Sequence, residues 1–185
     1  MYAVLGEHAS DALTVKVLMR RLSGNRSISI KTKGFQGGGD LLNKGAKQLN
    51  LFKSLGCDQF VVCYDADGPD PEPRRIKVMQ KVVAPSGLAQ SCCVVIPVQE
   101  IEAWILADIE AVTNVFRSWC PGPFDREPER EPKPKELLER LSRLNGKKPI
   151  YAHATHNPKV AEHLDLERVR KRCSSFEGLC KFIIG

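Results

Sequence analysis

An apolar run of strand length, Phe60-Val-Val-Cys-Tyr, gives way abruptly to Asp65-Ala-Asp67-Gly68. Two carboxylates one residue apart on a strand point the same way, because strand side chains alternate with a period of two. Their oxygens are hard donors, and such a pair is half of a Mg²⁺ or Mn²⁺ site. Three more acids fall at comparable places: Glu7 after Tyr2-Ala-Val-Leu5, and Glu100 and Glu102 after the apolar run that ends at Ile96. If these runs are parallel strands, all five carboxylates gather at the sheet edge where ligands of such folds bind. Crowded like charges repel, and a cation makes the crowding tolerable. The chemistry this suits is phosphoryl transfer, in which a divalent ion polarises the phosphate and stabilises the attacking and leaving oxygens. Each acid also has an ordinary reading. Asp and Gly favour turns, a lone Glu after a strand is commonly solvated, and Glu100 and Glu102 complement the positive end of a helix starting there. The coincidence at three strand ends favours the metal site.

The elements that would position these acids alternate regularly. A helix with Ser10 as N-cap carries Ala12, Val15, Leu18, Met19 and Leu22 at helical spacing and closes at Gly24. Residues 27–31 read as a second strand, followed by a Gly-rich loop from Gly34 to Asp40 and a helix over 41–55. Beyond the Asp-bearing strand, Pro69 to Pro73 reads as a loop, and a basic helix covers 74–83. A fourth strand covers 91–96, and helices cover 99–108 and 109–117. Continuous apolar strands separated by helices predict an α/β fold, with a mainly parallel, Rossmann-like four-stranded sheet flanked by helices. Composition changes at Trp119: residues 120–135 hold five prolines among alternating charges and read as a linker or long surface loop. A helix over 136–144, ending at Asn145-Gly146, then opens a basic helical tail with Arg168, Arg170, Lys171 and Arg172. The expected organisation is an α/β domain over 1–118, a Pro-rich segment over 119–135 and a small helical extension over 136–185.

A chain of 185 residues suits one domain with a substantial core. With 28 Lys+Arg against 22 Asp+Glu the net charge is +6, which permits a polyanionic partner without requiring one. Lys31, Lys33 and Lys44 flank the Gly37-Gly-Gly39 loop, and Arg74, Arg75 and Lys77 follow the Asp-x-Asp turn directly; both groups suit phosphates or simply a solvated face. The loop is not a P-loop, since G-x-x-x-x-G-K-[ST] is absent. The three histidines at 153, 156 and 163, taken with Cys173 and Cys180, match no zinc spacing. Seven cysteines form no C-x-x-C pair and point to a reducing cytoplasm. No apolar run approaches the roughly 20 residues that span a bilayer, and a strand starting at the first residues leaves no room for a signal peptide.

With Glu7 after the first strand and Asp65-Ala-Asp67 after the third, the chain resembles the Toprim domain of topoisomerases, primases, small RNA-maturing nucleases and OLD-family nucleases. The stretch Ile96-Pro-Val-Gln-Glu-Ile-Glu-Ala-Trp-Ile-Leu-Ala-Asp108 and the tail from Leu164 to Phe176 are similar to a small stand-alone family of bacterial OLD-like Toprim proteins associated with phage defence. The resemblance implies Glu7 as general acid/base, Asp65 and Asp67 as metal ligands, and Glu100 with Glu102 completing the site. It departs at His8, where Toprim domains usually have Gly and backbone approaches phosphate. The implied activity is Mg²⁺-dependent (or Mn²⁺-dependent) cleavage of DNA or RNA, alongside an ABC-type or OLD-type ATPase partner, since the chain carries no ATPase motif of its own. The alternatives are a catalytically silent binding or adaptor subunit and a small-molecule phosphoesterase.

Overall fold

A computed structural model describes residues 1–144 and 148–185. They form an α/β fold with one all-parallel, Rossmann-like sheet of four strands and helices on both faces. The strands are β1 (Tyr2–Gly6), β2 (Ile30–Gly34), β3 (Gln59–Cys63) and β4 (Cys92–Val95), in the spatial order β2-β1-β3-β4. Tyr2 lies opposite both Ile30 and Gln59, and Cys63 lies opposite Val95. The chain therefore leaves β1 for β2 on one side and returns to β3 on the other. That reversal makes the carboxyl ends of β1 and β3 the switch point of the sheet.

Strand alternation feeds two cores. Val4, Val61, Cys63 and Val95 face helix α1 (Ala9–Leu22) and α5 (Glu102–Ala107). The same core takes side chains from α6 (Pro134–Leu141), α7 (His153–Ala161), α8 (Leu166–Arg172) and α9 (Glu177–Ile184). Ala3, Leu5, Phe60, Val62 and Val94 face α2 (Gly38–Ser54) and the helix α3 (Glu72–Val78), which continues through a π turn at Met79–Val83 into α4 (Ala84–Ser86). At the centre of the first core Trp104 packs edge-on against Phe176, ring centroids 5.0 Å apart. Truncating such a ring costs roughly 3–5 kcal/mol, so the C-terminal helices and the sheet share this anchor. Trp119 and Pro128 are buried, and Arg172 donates to the carbonyls of Phe124 and Arg126. Among the described residues no helix is long and apolar enough to cross a membrane.

Several element boundaries differ from the sequence reading. β2 starts at Ile30 because the Asn25 side chain accepts from the backbone N–H and hydroxyl of Ser27, holding residues 25–27 in a turn. Helix α1 is entered from His8, not Ser10: the Asp11 carboxylate accepts from the His8 backbone N–H at 2.8 Å. Helix α2 starts at Gly38 and absorbs part of the Gly-rich loop. Helix α3 starts at Glu72, before Pro73, because proline is tolerated in a first helical turn. Helix α5 does not reach back to residue 99, since Gln99 takes the left-handed φ of 63°. The expected helix end at Asn145-Gly146 lies outside the described residues.

Candidate functional site

The site is built where β1 and β3 end. Gly34 lets the start of α1 lie close over the strand ends, as a Cβ there would stand 2.4 Å from the Ala9 Cα. Glu7 follows β1 directly, and its Oε1 accepts from the Asp65 backbone N–H at 2.9 Å. The Asp65 Oδ1 in turn accepts from the Ile101 backbone N–H at 3.1 Å, which ties the exits of β3 and β4 together. The first turn of α2 closes on the same point. Gly37 N–H donates to the Glu7 carbonyl at 3.0 Å, and a Cβ on Gly38 would meet Glu7 Oε2 at 2.8 Å.

Four of the five acids singled out in the sequence come together here. Burial, and then the charges of Asp11, Glu102, Glu7 and Glu100, hold the Asp65 carboxyl well above the usual carboxylate range. Burial also raises Glu7, against the lowering effect of the Asp65 N–H bond. Glu102 is 3% exposed, and burial pushes its pKa up to about 7 despite a 2.9 Å bond from Asn157 Nδ2. Asn157 also accepts from the Tyr151 hydroxyl. Glu100 accepts from Lys135, backbone N–H at 3.2 Å and Nζ at 2.9 Å. Burial alone would lower the Lys135 ammonium; the bond and charge of Glu100 outweigh it, and its pKa is raised.

Asp67 does not share this arrangement. β3 ends at Cys63, so the strand alternation that would align Asp67 with Asp65 does not apply. Asp67 instead takes the left-handed φ of 50°, its side chain is mostly exposed, and Arg74 Nη2 donates to its Oδ2 at 3.0 Å. It remains near enough to Glu7 for its charge to raise that group.

The basic residues divide. Arg74 belongs to the site: besides holding Asp67 it donates to the Ala66 carbonyl and lies 5.7 Å from the centre of the Tyr64 ring. Arg75 donates to the Val94 carbonyl and to Glu72, capping the outer edge of β4. Lys77 is exposed on α3. Lys31 and Lys33 lie on the edge strand β2, and Lys44 pairs with Asp40 at 2.6 Å. His156 packs against the Phe116 ring and bonds to Ala152, while Cys173 and Cys180 are core residues.

Sequence reasoning missed three participants. Asp11 is buried in the first turn of α1, where its only signal was its place three residues into the helix. Lys135 and Asn157 reach the site from α6 and α7, and nothing local in the sequence announces that. A cavity of about 600 Å³ beside Trp119, Phe124 and Leu137 has none of these acids in its lining.

The donor chemistry fits a hard divalent cation: these acids offer carboxylate oxygens, and their repulsion is what such an ion would relieve. Among the described residues no three side chains already stand together at ligand spacing. A domain of unknown function, the DUF4276 family, matches residues 7–184. The chain belongs to the DUF4276 family. The matched span runs from Glu7 through α9, so it takes in every acid of the site together with Lys135 and Asn157. Neither a curated protein nor a solved structure matches the chain.

Proposed function

We propose that this DUF4276 protein is a Toprim-type, metal-dependent nuclease that hydrolyses phosphodiester bonds of DNA or RNA with Mg²⁺ or Mn²⁺. One observation carries the reading: the Glu7 carboxylate accepts from the Asp65 backbone N–H at the sheet's switch point, within a group of acids in which burial and neighbouring charge raise Glu7, Asp65 and Glu102. Asp65, Glu100 and Glu102 would hold the ion, which when bound supplies charge neutralisation and polarises the phosphate. Asp67 joins them only by leaving Arg74. Glu7 moves the proton, and its raised pKa brings it nearer the working pH of a general acid or base. Arg74, released from Asp67, offers a planar guanidinium to a phosphate oxygen. Glycine at 38 keeps the Glu7 carboxylate clear of any side chain from the start of α2. The absence of a P-loop from the sequence motivates an ABC-type or OLD-type ATPase as partner, and the free cysteines suit the cytoplasm.

The test is cleavage of labelled DNA and RNA in Mg²⁺ and in Mn²⁺ by the native chain, Asp65→Asn and Glu7→Gln, with circular dichroism as the folding control. Metal-dependent cleavage lost in both folded variants supports the reading. A native chain that cuts nothing, or variants that cut as well as the native chain, defeats it. A silent binding subunit is then favoured by a specific observation: Glu100 and Asp67 already have Lys135 and Arg74 as counter-ions.

A further inference from the structure

The outer side of α2 carries a groove that the proposed chemistry does not use. Lys33, Phe35, Lys44, Lys47, Gln48 and Leu51 line it, and it holds about 440 Å³. Its walls combine two kinds of surface. Leu51 is 50% exposed and Leu55, one turn on, is 51% exposed, although other apolar residues of α2 such as Leu41 and Leu49 are fully buried. Positions 44, 48, 51 and 55 recur at helical spacing, so these leucines continue the line of the groove along one face. Around them stand ammonium groups. Lys33 Nζ lies 5.8 Å from the centre of the Phe35 ring, and neither Lys33 nor Lys47 has an ion-pair partner among the described residues. Lys44 alone is matched, by Asp40. The backbone beside the groove is bonded to the segment that carries Glu7. Phe35 N–H donates to the Gly6 carbonyl at 3.2 Å, one residue before Glu7, and two residues later Gly37 is bonded to Glu7 itself.

We infer that the nuclease site takes single-stranded nucleic acid, with the strand entering along this groove; the inference rests on the nuclease reading for where the strand leads. The charge complementarity is with a polyanion, since the lysines of the groove outnumber its one acid, Asp40. The apolar walls select the form. A duplex offers phosphates outside and turns its bases inward, leaving the exposed Leu51 and Leu55 without a partner. A single strand presents phosphates to Lys33 and Lys47 while its bases cover the exposed aliphatic surface of Leu51 and Leu55.

The test uses the Asp65→Asn chain without divalent metal, so that binding is read without cleavage. Fluorescence anisotropy would compare labelled single-stranded DNA and RNA with a blunt duplex of the same sequence. The strand is expected to bind at least tenfold tighter than the duplex, with affinity falling steeply with salt. Lys33→Glu with Lys47→Glu is expected to weaken it at least tenfold, and Leu51→Ser severalfold; all three side chains are on the surface, so folding is retained. Equal binding of duplex and strand, or groove variants that bind as the parent does, overturns the inference. If native chain cuts nucleic acid while groove variants cut equally well, the nuclease reading stands and the groove falls. If strand binding follows the groove but no metal gives cleavage, the groove stands and the nuclease reading falls. Loss of binding to a protein partner alone, with strand affinity unchanged, assigns the face to that partner and also overturns the inference.

Discussion

Acids occur in two settings in this protein, and the fold treats them oppositely. Around the C-terminal helices arginines pair with acids. Arg168 Nη1 lies 2.7 Å from both Asp108 and Glu110, and Arg170 grips Glu177 with bonds of 2.6 and 2.9 Å. The bond from Arg170 holds Glu177 below the ordinary glutamate value. At the ends of β1 and β3 the acids crowd one another with Lys135 reaching only Glu100, and Glu7, Asp65 and Glu102 are all raised. Glu102 is buried and Glu7, Asp65 and Glu100 are half-buried, so these acids crowd where water screens them poorly. Perturbed acids gathered at a ligand-binding edge are candidates for a functional site, which is the reading proposed above.

The largest effect that would break this comparison is on activity. Glu7→Gln is expected to lower the rate of metal-dependent cleavage by about 10²–10⁴-fold, as loss of a general acid or base does. Asp65→Asn should abolish it. Neither change should lower thermal stability, because each removes a charge from a repelling group. A steady-state nuclease assay beside a melting curve separates the two effects. A large drop in Tm for Asp65→Asn would place Asp65 among the structural acids instead.

The pH dependence of stability sharpens the contrast, because the two sets predict slopes of opposite sign. Glu102 has a folded pKa of about 7 against 4.5 unfolded, so the native state keeps a proton that the unfolded chain has lost. Its contribution to stability is full below pH 4.5 and disappears as the pH rises to about 7. Glu177 is depressed, so its contribution is present above pH 4.5 and is lost as the pH falls through its lower folded value. Glu102→Gln is therefore expected to flatten the decline in Tm between pH 5 and 8. The stability it restores at the top of that range is up to about 3 kcal/mol. Urea melts at pH 5 and pH 8 measure it directly. An unchanged slope would mean that Glu102 is ionised in the folded protein throughout.

On the structural side, Arg168→Met strips Asp108 of its counter-ion while Asp108 stays buried at 7% exposure. Removing one member of such a pair leaves an uncompensated charge. The urea midpoint should fall with the slope of the transition unchanged, and cleavage by the folded fraction should be unaffected. Loss of cleavage without loss of stability would contradict the division drawn between the two sets.

Much of this was legible in the sequence for a physical reason. Strands buried on both faces write themselves as apolar runs, so β1, β3 and β4 and the acids behind them stood out. Edges were misplaced where local side-chain chemistry overrode pattern: the Asn25 turn delayed β2, and the left-handed Gln99 shortened α5. Asp67 misled because the pleat that would align it with Asp65 had already ended at Cys63. Lys135 and Asn157 were invisible, since each meets its acid across 35 and 55 residues of chain. Contacts of that kind belong to tertiary packing, which a periodicity does not encode.

The smallest expected effect concerns the position at which the Toprim resemblance fails. His8 has φ −128° and ψ 167°, ordinary extended backbone that needs no glycine. Its ring is 62% exposed, with Nδ1 3.5 Å from Asp11, and the bond that starts α1 uses the His8 backbone N–H, which glycine would keep. His8→Gly should therefore cost only a few tenths of a kcal/mol as a cap change. As an exposed side chain that makes no bond to Glu7 or Asp65, it should move kcat/KM by no more than about twofold, the equivalent of ±0.5 kcal/mol. A tenfold rise in kcat/KM would show instead that the imidazole stands in the path of the substrate phosphate. The site would then extend over the start of α1, and the acids gathered behind it would be working at less than their full reach.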